Sequence, residues 1–138
     1  MEIDFAFLAD AAETVNGKIY VLGGAFDTIW APQIPVAHPS LSFIMRLLLS
    51  PGEIGRRHKL ELSLMNADGR RLNTINGEFQ VDSNPNNSPG SKQGFMTVFN
   101  FKNLNLPNYG DYSFEILINE FSLKSLSLKL AHTQSTSR

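Results

Sequence analysis

The pair Asn16-Gly17 constrains this chain more than any other two residues in it. It stands between the apolar runs Phe5-Ala6-Phe7-Leu8 and Ile19-Tyr20-Val21-Leu22. Both central residues of a two-residue type I′ hairpin need φ > 0, which glycine adopts freely and asparagine tolerates. An Asn-Gly pair flanked by β-formers is therefore the strongest local signal for a tight antiparallel turn. The chain is expected to open with a two-stranded ribbon, and an isolated ribbon needs further strands to be stable.

Those strands can be read downstream. Ile3, Phe5 and Phe7 alternate with Asp4 and Ala6, while Ile19 to Leu22 is apolar on both faces, the pattern of a central strand. Gly23-Gly24 interrupts that strand, and paired glycines there mark a bulge or bend. Phe26, Thr28 and Trp30 resume the alternation. Ala31 to Pro39 lacks the backbone donors of Pro32, Pro35 and Pro39, so it is expected to be an extended crossover to a second sheet rather than a central strand. Leu41 to Leu49 is the next strand. Leu60, Leu62 and Leu64 follow, then the turn Asn66-Ala67-Asp68-Gly69 and a strand from Leu72 to Val81. The polar loop Asp82–Ser91 is dense in chain breakers and long for a compact domain, where long loops carry function or motion. Phe95, Phe99 and Phe101 begin the last block, followed by Tyr112, Phe114, Ile116 and Ile118, and by Leu126, Leu128 and Leu130, each set alternating with other residues. Nothing reads as helical. About eight strands with turns between them predict an all-β, two-sheet antiparallel β-sandwich of Greek-key, jelly-roll, C2 or immunoglobulin-like type.

The chain has 138 residues, enough for one domain with a substantial core. Residues 1–132 are expected to form that domain and the polar stretch 133–138 a fraying tail. Twelve basic residues against 13 acidic ones give no global field that selects nucleic acid or an anionic membrane. There is no Cys, which removes disulfides, thiolate metal sites and a cysteine nucleophile and leans toward a cytoplasmic location. Met1-Glu2-Ile3-Asp4 carries acids where a signal peptide carries basic residues, and Phe43 to Leu49 is interrupted by Arg46 and too short to span a membrane.

Three segments resemble a bacterial family of uncharacterised single-domain proteins. They are Phe7-Leu8-Ala9-Asp10-Ala11-Ala12 with Asn16-Gly17-Lys18-Ile19-Tyr20-Val21-Leu22-Gly23-Gly24, then Gly55-Arg56-Arg57-His58-Lys59-Leu60 leading to Asp68-Gly69, and finally Leu106-Pro107 with Gly110-Asp111-Tyr112-Ser113-Phe114-Glu115-Ile116. The resemblance covers nearly the whole chain and implies a β-sandwich with no assigned activity. Gly-x-Tyr entering a strand recurs in sandwich folds, where the tyrosine anchors a corner by packing and a hydroxyl hydrogen bond. Tyr112 is expected to be such a structural residue.

No catalytic constellation accompanies the strands. His38, His58 and His132 have no His or carboxylate at metal-ligand spacing on a shared strand face. There is no Gly-x-Ser-x-Gly elbow, and Gly23-Gly24 lacks the other glycines and the helix of a phosphate-binding loop. Asp82, Asn84, Asn86 and Asn87 supply oxygens for calcium but only one carboxylate, with Asp68, Asp10 and Glu13 elsewhere. Arg56-Arg57-His58-Lys59 and Arg70-Arg71 lie at opposite ends of one strand, ~25 Å apart at ~3.3 Å per residue, so each is expected to be a solvated charge cluster that guards a sheet edge. For sugar binding the aromatic platforms available are Trp30, Tyr20 and Tyr109, and Trp30 is expected to pack at the end of the sandwich.

The resulting expectation is a non-enzymatic, cytoplasmic protein-interaction or assembly module with no cofactor or metal. Its partner would be another protein or a second copy, with neither nucleic acid nor membrane. Ile44, Leu48, Met96, Val98 and Leu117 fall opposite the core-facing positions and are expected to form the partner surface. The alternative is a sandwich that binds carbohydrate or calcium at one loop end.

Overall fold

The computed structural model describes residues 1–133 and is a sandwich of two β-sheets. Its strands are β1 (Glu2–Val15), β2 (Lys18–Phe26), β3 (Thr28–Ala31), β4 (Val36–Leu49), β5 (Arg57–Asn66), β6 (Arg71–Gln80), β7 (Gln93–Leu106), β8 (Gly110–Ile118) and β9 (Phe121–His132). One sheet runs β2-β1-β4-β7 and the other β3-β9-β8-β5-β6. Among the described residues the helical content is one 3-10 turn, Pro51–Glu53. The fold class expected from the alternation is the one observed.

The hairpin signal is realised at its predicted place. Asn16 and Gly17 have φ of 51° and 75°, and Val15 pairs with Lys18 across the turn. The Gly23-Gly24 bulge is also present: the β1–β2 register slips at Leu8/Ala9, and Gly23 and Ala25 both take positive φ. A Cβ on Gly23 would displace the exposed Asp10 carboxylate, and its φ of 63° itself favours glycine.

Three details of the path differ from expectation. Phe26, Thr28 and Trp30 do not share a strand, because the chain changes sheets at Asp27. β2 ends in the first sheet and β3 begins in the second, parallel to β9, so the sandwich is not wholly antiparallel. The proline segment consequently returns the chain from the second sheet to the first. Its last part, Val36–Pro39, already belongs to β4 and lies beside β7. Pro39 is tolerated because β1 pairs with β4 only from Ser42 onward, which leaves that end of β4 at an edge.

The core lies between the sheets. Leu41, Phe43, Met45, Leu47 and Leu49 of β4 face Leu60, Leu62, Leu64, Phe114 and Ile116 of the second sheet, all buried. Phe114 contacts both Phe43 and Phe101 with ring centroids 5.5 Å apart, joining the two layers. Phe79 of β6 stacks on Phe95 of β7 at 4.7 Å and closes one flank. Tyr112 fills its expected role: its hydroxyl donates to Asn108 O at 2.6 Å and accepts from Asn108 N–H at 3.0 Å. Of the expected tail, Thr133 donates its N–H to Ala31 O, and residues 134–138 lie outside the described residues.

Candidate functional site

The site is built from a mismatch between one strand's composition and its position. Ile19-Tyr20-Val21-Leu22 has the two-sided apolar pattern of a central strand, yet β2 is an edge strand with β1 as its one neighbour. The register shows which main-chain groups are left over. In a two-residue hairpin the residues flanking the turn exchange both hydrogen bonds, and bonded and non-bonded pairs then alternate. Val15 with Lys18, Glu13 with Tyr20, and Ala11 with Leu22 are therefore bonded pairs. The N–H and C=O of Ile19 and Val21 point the other way, off the sheet.

The side chains around this edge are exposed. Leu22 is 72% and Tyr20 55% accessible, and Val15 and Val21 are also open to solvent. Ala11, Ala12 and Glu13 of β1 complete a shallow apolar groove with Tyr20, Val21 and Leu22. Lys18, at the very start of β2, is the only charged residue of the strand.

The other three edges are blunted. β3 has four residues, is followed by Pro32, and the carbonyl of its last residue, Ala31, accepts both the Tyr109 hydroxyl and the Thr133 N–H. β6 carries Arg71 and Glu78, which pair with Glu61 at 3.2 Å and Arg57 at 3.6 Å. β7 carries Lys102 and is disturbed by Asn103 at a φ of 52°. Charges, short strands and local irregularity are the usual protections against edge pairing. β2 has Lys18 at its start and its bulge at the far end, with no charge from Ile19 to Phe26.

Four of the five residues expected to form a partner surface share one face, and the fifth lies on the other sheet. Ile44, Leu48, Met96 and Val98 lie on the outer face of the first sheet, and Leu117 on the outer face of the second. Ile44 is 0% exposed, flanked in register by Phe7 and Val98. Leu48, Met96, Val98 and Leu117 are half-buried. Thr14, Asn16 and Gly17 at the hairpin tip border a cleft with Arg46, Gly94, Phe95 and Met96. Gly94 leaves room for the Arg46 side chain, which pairs with Asp4 at 2.6 Å.

Trp30, expected to pack at the end of the sandwich, is instead 65% exposed on β3, while the Tyr109 ring lies edge-on to His132. In the loop 82–91, Asn84 Oδ1 accepts from Asn86 N–H, and Gln93 bridges Asn84 N–H and the Asp82 carbonyl. Among the described residues no three His, Asp or Glu side chains cluster as a metal site. The basic segments and Leu117 border a groove of about 520 Å³ on the second sheet, where Lys59 and Arg71 alternate with Glu61, Glu78 and Glu120.

A β-sandwich with one unprotected edge defines the class of this protein. The chain belongs to a family of unknown function (DUF6941), whose pattern matches residues 4–131. Comparison with curated proteins finds no match. Among solved structures the chain is similar to the alkylpurine DNA glycosylase AlkC of Pseudomonas fluorescens, bound to DNA containing an abasic site analog. The likeness has a TM-score of 0.45 and 10% identity, and it covers 76% of this chain but 28% of that one. At this level it assigns neither ligand nor activity. Set beside this DNA-bound neighbour, the expectation that excluded nucleic acid as a partner no longer holds. Among the described residues no helix is long and apolar enough to cross a membrane.

Proposed function

We propose that this chain is a non-enzymatic binding module that accepts an extended polypeptide segment along β2. The observation that carries the reading is the placement of a central-type sequence, Ile19-Tyr20-Val21-Leu22, at an edge that nothing covers among the described residues. Strand addition draws affinity from main-chain hydrogen bonds and selectivity from alternate side chains. The outward N–H and C=O groups of Ile19 and Val21 supply the first, and the groove formed with Ala11, Ala12 and Glu13 supplies the second. A reducing, cytoplasmic setting suits a chain without Cys.

The test is a selection from a displayed library of random linear peptides, repeated on Val21→Pro. Proline removes the outward donor at residue 21 and leaves the β1–β2 bonded pairs in place. Selected peptides should bind the parent chain and lose most of that affinity on Val21→Pro at unchanged melting temperature. Peptides that bind both forms equally would contradict the reading. So would a labelled DNA duplex that binds with a steep salt dependence, the mark of phosphate contacts.

A further inference from the structure

His58 is a buried titratable side chain that the binding edge does not use, at 5% exposure on the inner face of β5. Its ring packs on Phe79 with centroids 5.4 Å apart. Nε2 lies 2.8 Å from the Glu53 carbonyl oxygen and Nδ1 lies 3.0 Å from Asn119 Nδ2. A carbonyl only accepts, so Nε2 carries the proton. The amide of Asn119 is oriented by its other end, because Oδ1 accepts the Lys59 N–H at 3.0 Å. Nδ2 therefore donates and Nδ1 must be bare. The network admits the neutral ring in one tautomer.

A second proton has no place in this arrangement. On Nδ1 it would point at the amide hydrogens of Asn119. Rotating that amide would satisfy the ring but strip the Lys59 N–H of its acceptor. The charged groups nearby offer no compensation. Glu53 turns its carboxylate to the Met1 ammonium and Ser50, and Arg57 pairs with Glu78 of β6. Lys59, next in β5, adds a positive charge, and Glu120 in the β8–β9 turn makes no ion pair with the ring. Phe95, behind Phe79 on β7, brings none.

The group so constrained holds two separate segments on β5: the 3-10 turn through Glu53 and the β8–β9 turn through Asn119. The second turn is conformationally costly. Asn119 and Glu120 have φ of 51° and 73°, and a glutamate at positive φ persists only where its surroundings enforce it. Asn119 is held twice, by its side chain on His58 and Lys59 and by its N–H on Lys59 O at 2.9 Å.

We infer that His58 is a proton-operated latch: the neutral ring clamps the β8–β9 turn to β5, and protonation releases it. Release would loosen Asn119 and Glu120, which border the groove shared with Lys59 and Glu78 on the second sheet. Histidine is the side chain suited to such a switch, since its charge changes between pH 5 and 8.

The test is nuclear magnetic resonance of the full chain, with the imidazole nitrogens and backbone amides followed from about pH 8 to pH 5, the range of histidine titration. The ring should hold its proton on Nε2 at the upper end. The amide signals of Lys59, Asn119 and Glu120 should then move with the same midpoint as the ring, while Phe114 in the core stays fixed. In His58→Gln those amide shifts should vanish. Asn119→Gly keeps a residue suited to positive φ and removes the amide, so the ring should titrate without moving Lys59; it carries the test where His58→Gln does not fold. A proton on Nδ1, a ring that stays neutral to pH 5, or turn signals that move alike in the variants would overturn the latch.

Discussion

Single residues in this chain carry two kinds of constraint, conformational and electrostatic. The electrostatic kind is clearest at Glu53. Burial works to raise its pKa. The Met1 ammonium at 2.8 Å, the Ser50 N–H at 2.9 Å and the Ser50 hydroxyl at 2.8 Å outweigh that and hold it down, from an ordinary 4.5 to about 2. A carboxyl depressed on folding contributes stability that is complete above pH 4.5 and is lost as pH falls toward 2. Glu53→Gln should therefore flatten the acid limb of the stability curve in that window and leave stability near pH 7 lower than the parent's. Urea melts across the range check this, and parallel curves for the two proteins would contradict it. Neither this network nor the His58–Asn119 contact was legible beforehand. Met1 and Glu53 lie 52 residues apart and His58 and Asn119 61, and local patterns say nothing about such pairs; the Ser50 contacts, three residues from Glu53, are the local part.

At the scale of elements, local chemistry announced itself where it is decided locally. Asn16-Gly17, Gly23-Gly24 and Asp68-Gly69 form the turn, bulge and turn that their φ requirements imply. Gly17→Val would place a β-branched residue at a φ of 75° and should cost about 1–3 kcal/mol in a denaturant melt. Coincident melts of variant and parent would mean that the strain is absorbed elsewhere. Sheet membership was less legible. The alternation through Phe26, Thr28 and Trp30 is unbroken in sequence although the chain changes sheets at Asp27, because period-two patterning marks a face and not the neighbour. For the same reason Ile19 to Leu22 reads as a central strand. The apolar signal was present, but its position at an edge depends on where distant strands pair. That gap between pattern and position is the binding edge itself.

For the molecule as a whole, stability rests on the contact between layers. Phe114 meets Phe43 and Phe101 of the opposite sheet and is fully buried. Phe114→Ala should destabilise the fold by about 3–5 kcal/mol, the usual cost of such a cavity. Equilibrium urea unfolding measures it, and a loss below about 1 kcal/mol, the level of a well-tolerated core swap, would contradict the packing. The all-β class and the core-facing residues were readable because both follow from alternation. The same alternation puts Ile44, Leu48, Met96 and Val98 on one outer face, whereas the place of Leu117 on the other sheet depends on which distant strands pair.

The central claim, that β2 presents an unpaired edge, has a direct measurement in amide hydrogen exchange followed residue by residue on the free chain. Exchange reports whether each N–H is engaged. The register predicts an alternation within four residues: Tyr20 and Leu22, bonded to β1, exchange slowly, while Ile19 and Val21, pointing outward, exchange fast. Equal protection at all four would show that the edge is already covered, and would contradict the account.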